Sequence, residues 1–224
     1  MIKRPTLTFI SIICLTALLG ACGGDTPAPS EDAPPPSAPA EQRDLKGQVT
    51  AWTLREATLS ATFYGGGEAN AEVAVGAIDR SGRFGVALNE VVNEVLSAPP
   101  MCDALSVSDS GARTNTFSAL KVYIGDEKRG LIALASSREV VREGLRRVGD
   151  FYVQQTYADR ALTLEGECDV SDALATFRYD MTLRRGWNTV LFTLTAKSEE
   201  GEQTLSLSTR PVPERAAWFF REGR

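Results

Sequence analysis

From Leu45 onward the chain is patterned mainly in period two. Ala57, Leu59, Ala61 and Phe63 alternate with Thr58, Ser60, Thr62 and Tyr64, the spacing of a strand that buries one face and wets the other. The same alternation is read in Ala71, Val73, Val75 and Ala77, and again in Phe84, Val86 and Leu88. Between those two runs lies Arg80-Ser81-Gly82-Arg83, where Ser-Gly supplies the positive φ of a tight hairpin. Downstream, Phe177, Tyr179, Met181 and Leu183 alternate with Thr176, Arg178, Asp180 and Thr182, and Arg184-Arg185-Gly186 turns the chain into Trp187 to Thr195, the clearest hairpin expected in the sequence. Weaker strands are expected at Gln48 to Leu54, Thr116 to Ile124, Leu131 to Ala135, Asp150 to Tyr157, Ala161 to Cys168 and Thr204 to Thr209, with Gly65-Gly66-Gly67 as a further loop. Many short strands separated by turns predict a mainly β fold: an antiparallel β-sandwich, or two small packed sandwich units, with one or two short helices.

The helical candidates are two. Ser136-Ser137-Arg138-Glu139 fits a capping box, with Ser136 as N-cap ahead of Val140, Val141, Leu145 and Val148, although Gly144 interrupts it. Asn89 to Ser97 carries Val91, Val92, Val95 and Leu96 at helical spacing and stops at Pro99-Pro100. Either segment reads equally as an irregular crossover.

Residues 1 to 44 do not share this pattern. Lys3 and Arg4 precede a mostly apolar run from Leu7 to Leu19, too short to cross a hydrocarbon layer of about 30 Å as a helix. It ends in Leu19-Gly20-Ala21-Cys22. From Gly23 to Asp44 follow Pro27, Pro29, Pro34, Pro35, Pro36 and Pro39 among Ala, Ser, Glu and Asp, with no large apolar side chain to bury. Such a stretch reads as a disordered, partly polyproline II tether, reaching at most about 70 Å. The chain thus divides into a signal (1–21), Cys22 with its tether (22–44) and a β body (45–224) with a candidate sub-boundary near 98–112.

The positive start, the apolar core and the small residues before Cys22 resemble the signals of bacterial lipoproteins. The resemblance implies cleavage before Cys22, acylation of that cysteine with lipid such as palmitate, and anchoring to a membrane of the cell envelope. With Gly23 rather than Asp after the cysteine, it implies the outer membrane where the source has two. An ordinary secretory signal and an uncleaved anchor are the alternatives.

Net charge is −5, and losing Lys3 and Arg4 with the signal makes it −7. With no long basic run, this argues against nucleic acid and against a polybasic membrane patch. The chain has no histidine, which removes the base of serine and cysteine triads and every histidine-based zinc site. Cys14 leaves with the signal and Cys22 takes the lipid, so Cys102 and Cys168 remain as one pair in an oxidising compartment; a disulfide is expected, two buried free thiols being the alternative. No cofactor and no metal are called for.

In the N-terminal half, Gly47-Gln48-Val49 and Gly76-Ala77-Ile78-Asp79, followed by Ser81-Gly82-Arg83-Phe84-Gly85-Val86-Ala87-Leu88, resemble the transthyretin-like or carboxypeptidase-regulatory-like sandwich modules of secreted bacterial proteins. The Arg184-Arg185-Gly186-Trp187-Asn188 turn resembles hairpins of uncharacterised bacterial lipoproteins. Neither resemblance transfers a catalytic residue.

Local chemistry is sparse. Ser118-Ala119-Leu120-Lys121 matches S-x-x-K, but in a β run positions three apart face opposite sides. Asp103 and Asp109, with Ser106, Ser108, Ser110 and Gly111, form a polar loop that lacks the EF-hand order. Tyr152, Tyr157, Tyr179, Trp187 and Trp52 are either an exposed platform or core. Trp218-Phe219-Phe220 cannot all face one side of a strand, and either locks the tail onto the body or offers a partner surface. The functional expectation is a binding or structural β-domain tethered to the envelope, meeting the membrane through its lipid and an envelope protein or glycan through its surface. A carboxylate-only secreted hydrolase and an accessory subunit of a larger envelope complex are the alternatives.

Overall fold

The computed structural model describes residues 44–64, 70–170 and 174–223. The expected signal, Cys22, the tether up to residue 43 and the loop at Gly65-Gly66-Gly67 lie outside the described residues. Where alternation is clean, strands form as the pattern predicts. Ala57–Tyr64 (β2) buries Ala57, Leu59, Ala61 and Phe63, and Arg83–Leu88 (β4) buries Phe84, Val86 and Leu88. The other N-terminal strands are Asp44–Thr50 (β1) and Asn70–Ile78 (β3). The remaining strands are Leu105–Val107 (β5), Thr114–Phe117 (β6), Leu120–Ile124 (β7), Glu127–Ala135 (β8), Phe151–Ala158 (β9), Leu162–Val170 (β10), Ala175–Leu183 (β11), Gly186–Lys197 (β12), Gln203–Ser208 (β13) and Ala217–Glu222 (β14). Among the described residues one helix, Arg138–Glu143 (α1), and one 3-10 turn at Asn93–Val95 complete a mainly β body.

Hydrogen bonding links β14, β1, β4, β3, β2, β7 and β8 in that order, and β8 pairs back to β14, so this part of the sheet closes into a ring. Its lining is apolar: Val49, Leu59, Phe63, Val73, Ile78, Phe84, Val86, Leu88, Leu120, Val122 and Ile132 form one buried cluster. The sheet continues from the end of β8 into β9 and through β12, β13, β11 and β10 to β5, with β6 also on β9. This open part has its own core of Leu162, Leu164, Met181, Leu183 and Val190. Most pairings are antiparallel; β1 with β14 and β11 with β13 are parallel. The hairpin expected across Arg184-Arg185-Gly186 does not form: β13 inserts between β11 and β12 and takes the hydrogen bonds that each would have given the other.

Five sequence expectations shift in register or extent. The alternation Ala71, Val73, Val75, Ala77 does not hold along β3. Ala61 pairs with Ala74 but Thr62 with Glu72, so Val73 is an extra residue, and Val73 and Ala74 are both buried. Beyond this bulge the phase inverts, and Val75 and Ala77 face outward. The run Gln48 to Leu54 yields a strand only to Thr50, because Ala51 takes φ 52° and ends it. Thr116 to Ile124 divides at Ser118-Ala119, where the chain leaves β9 and enters the ring between β2 and β8. The N-cap is Ser137 rather than Ser136: its Oγ accepts from the Val140 N–H at 3.3 Å, whereas the Ser136 Oγ accepts from the Phe151 N–H at 3.1 Å. Within Asn89 to Ser97 only the 3-10 turn forms, with Val91, Val95 and Leu96 packed into the ring's core.

Candidate functional site

The bulge in β3 creates the most evident concavity. With Val75 and Ala77 turned outward, cross-strand register aligns Lys46, Gly85, Ala77, Thr58, Tyr123 and Lys128 across the outside of the ring. The small central residues leave an open groove of about 700 Å³ lined by Thr58, Ala77, Gly85 and Tyr123, with Glu56, Asp79 and Arg83 at one end. A Cβ added to Gly85 would meet nothing within 4 Å, so the floor is open to solvent there.

The charged end of the groove is built by the β3–β4 turn. Gly82, at φ +81°, sits where a Cβ would lie 2.7 Å from the Trp52 Cβ. Asp79 Oδ1 accepts from the Ser81 N–H (2.7 Å), the Ser81 hydroxyl (2.6 Å) and the Arg83 N–H (3.1 Å). The Ser81 hydroxyl bond foremost, with the two backbone donors and the Arg83 charge, holds this carboxyl below its ordinary range. Glu56 is ion-paired to Arg80 at 3.3 Å. Both carboxylates are therefore engaged in the turn and its ion pair, and Asp79 is stabilised as the anion.

The residues singled out in the sequence are dispersed. Cys102 and Cys168 meet at disulfide distance, with Cα atoms 5.7 Å apart, at the outer edge of β10. Trp218, Phe219 and Phe220 lie on β14 and are packed rather than presented as a shared surface. Trp218 stands edge-on to Phe84 at 4.9 Å and Phe220 edge-on to Trp52 at 5.3 Å, while Phe219 points to the other side and packs with Ala133, Ala135, Val140 and Val141. The five other aromatics do not converge on a platform. Trp187 and Tyr157 are buried with Phe63 and Phe117, and the Trp187 indole N–H donates to the Asn89 carbonyl at 2.9 Å. Tyr152 donates to the Val140 carbonyl beside α1, and Tyr179 packs on the open sheet's core. Burial raises the phenol pKa of Tyr152, Tyr157 and Tyr179.

Asp109 accepts from the Gly111 N–H at 2.8 Å and faces Arg160 at 3.6 Å, which makes it a turn residue. Among the described residues no group of three or more Cys, Asp or Glu is placed to hold a metal ion. Ser118 lies in the break before β7, and Lys121 instead donates to Tyr64 at 2.8 Å. The groove itself was not anticipated. Its one sequence signal is Ala74, an apolar residue in a slot that strict alternation would make polar, which marks the phase change.

Fold and groove together describe a mainly β protein whose ring-closed sheet carries a shallow, largely neutral trough on its outer wall. No family model, curated protein or solved structure matches the chain. No helix among the described residues is long and apolar enough to cross a membrane.

Proposed function

We propose that this chain is an exported bacterial lipoprotein, anchored to the envelope through acylated Cys22, whose body acts by binding at the end of a proline-rich tether. The observation that carries the binding role is the groove on the ring's outer wall, where Gly85, Ala77 and Thr58 form a floor beside Tyr123. An extended chain, either a glycan strand or a peptide segment of an envelope protein, fits a trough of this kind better than a compact metabolite does. Ligand-sized enclosed sites bury most of their occupant, and this groove is open along its length. Charges at both ends of the aligned row, Lys46 and Lys128, orient such a chain without desolvating it.

The hydrolase reading has one observation in its favour, since Glu56 and Asp79 both reach the groove. Carboxylate catalysis of glycoside cleavage needs one carboxyl kept protonated, with a raised pKa. Asp79 is shifted the opposite way, toward the anion. Binding is therefore the reading best supported.

The test is a photo-crosslinking amino acid placed at Thr58, with one at Glu214 as control, in cells carrying the intact lipoprotein. Discrete adducts from Thr58 that disappear with Gly85→Arg, a substitution that fills the open floor, are expected. Absence of adducts, or adducts indifferent to Gly85→Arg, would count against the groove. Cys22→Ser in the same cells is expected to release the protein from membranes.

A further inference from the structure

We propose that Tyr64 is an activated phenol, set up by Lys121 to accept an acyl group from an activated acyl donor. The proposal does not depend on the groove; of the residues named there it shares only Lys128, as a minor contributor. Tyr64 ends β2 and is 65% exposed. Pairing of Ser60 with Lys121 fixes β7 beside β2, so Lys121 reaches along the outer wall and its ammonium donates to the Tyr64 hydroxyl at 2.8 Å, 5.1 Å from the ring centroid. A cation held at the phenol oxygen favours the phenolate.

The groups around the oxygen act mostly in the same direction. Lys121 dominates, first through its hydrogen bond and then its charge; desolvation opposes it, and smaller contributions from a Thr62 hydrogen bond on the same strand and the Lys128 charge on β8 act with Lys121. On β3, Asn70 pairs with Tyr64 and Glu72 with Thr62. Of the chain's five tyrosines, this one is both exposed and lowered in pKa, while Tyr152, Tyr157 and Tyr179 are raised by burial. No histidine competes for an acyl group.

In the reaction the phenol proton passes to solvent and the phenolate oxygen attacks the acyl carbonyl carbon. A new C–O bond forms, and the bond to the leaving group breaks with its electron pair. Lys121 remains an ammonium throughout. The co-reactant class is an acyl donor with a good leaving group, such as an acyl imidazole or an ester of an acidic alcohol.

Folded full-length protein treated with N-acetylimidazole between about pH 7 and pH 9, below the ordinary tyrosine range, and mapped by peptide mass tests this. Tyr64 is expected to be the first tyrosine acetylated. Lys121→Met is expected to slow its labelling about threefold, the scale of one exposed charge pair, while Lys121→Arg restores the rate. Labelling of Tyr123 in the same samples reports whether the variants keep the wall intact, and ~1 M salt is expected to narrow the difference between wild type and Lys121→Met. Acetylation of Tyr123 ahead of Tyr64, acetyl found on Lys121 instead, or equal Tyr64 rates in wild type and Lys121→Met would overturn the proposal.

Discussion

In the ring, each of β1, β4, β3, β2, β7, β8 and β14 has a strand on either side, whereas the sheet continuing through β9 runs out past β10, whose outer backbone groups are covered only by the three-residue β5. The ring is closed by the chain's last strand. β14 enters between β1 and β8, and its three consecutive aromatics divide by strand parity: Trp218 and Phe220 turn to the ring's core, and Phe219 turns to the patch beneath α1. The open sheet is finished by a short segment laid antiparallel along β10. β5 pairs with Leu164, Glu165 and Gly166; Ser108 exchanges bonds with Thr163; the Glu167 N–H donates to the Ala104 carbonyl at 3.2 Å; and Cys102 meets Cys168. One region thus depends on hydrogen bonds and apolar burial spread over a whole strand. The other depends on a three-residue strand fastened by a covalent link. Closure by a strand couples a region to the global core, and closure by a staple leaves an edge that can open locally.

The largest effect should come from ending the chain at Ala216. Each of Trp218, Phe219 and Phe220 contributes up to about 3 kcal/mol as a packed aromatic, and together they approach the whole stability of an ordinary domain. Urea unfolding followed by circular dichroism should lose its cooperative transition; an unchanged midpoint would show that the ring does not need its last strand. Next, replacing Cys102 and Cys168 together with Ala should cost at most about 4 kcal/mol by the chain-entropy estimate for partners 66 residues apart. A ring aromatic such as Trp218 on β14 should report little change in near-UV signal before global unfolding.

Two glycines sharpen the contrast further. At Gly166, φ is +128° and a Cβ would lie 2.1 Å from the Ala104 carbonyl oxygen, so Gly166→Ala should destabilise by about 2 kcal/mol and loosen the edge segment. At Gly85 an added Cβ meets nothing within 4 Å, and Gly85→Ala should stay within about 0.5 kcal/mol of wild type. Equal midpoints for the two variants would contradict the described approach of Ala104 to β10. The smallest effect is a pH dependence at the β3–β4 turn. Because the folded state lowers the Asp79 pKa, its stabilisation is present above the unfolded carboxyl pKa and is lost as pH falls through the lower folded value. Asp79→Asn should flatten this acid limb of the stability profile and leave neutral-pH circular dichroism unchanged.

Much of the β body was legible in the sequence because alternation and turn chemistry are local. β2, β4, β11 and β12 follow as strands from side-chain parity, the β3–β4 hairpin follows from Gly82, and Cys102 and Cys168 meet as the expected pair; the hairpin expected at Gly186 does not form, because β13 lies between β11 and β12. What was not legible depends on partners far along the chain. Parity shows that Trp218, Phe219 and Phe220 face two sides, but β1 and β8 are what make both sides interior. The outward turn of Val75 and Ala77 depends on a bulge set by pairing with β2, and the groove it opens inherits that dependence. The proximity of Tyr64 and Lys121 arises in the same way, from strands whose neighbours are fixed only when the sheet assembles.

Hydrogen exchange on the oxidised protein and on the protein with Cys102 and Cys168 reduced and blocked tests most directly whether the two regions are closed by separate means. The Thr163 and Glu167 amides, which bond to Ser108 and Ala104 in the edge segment, should lose protection on reduction, while the amides of Ala217 to Glu222 in β14 keep theirs. Loss of protection in β14 together with β10, or no loss in β10, would contradict the account.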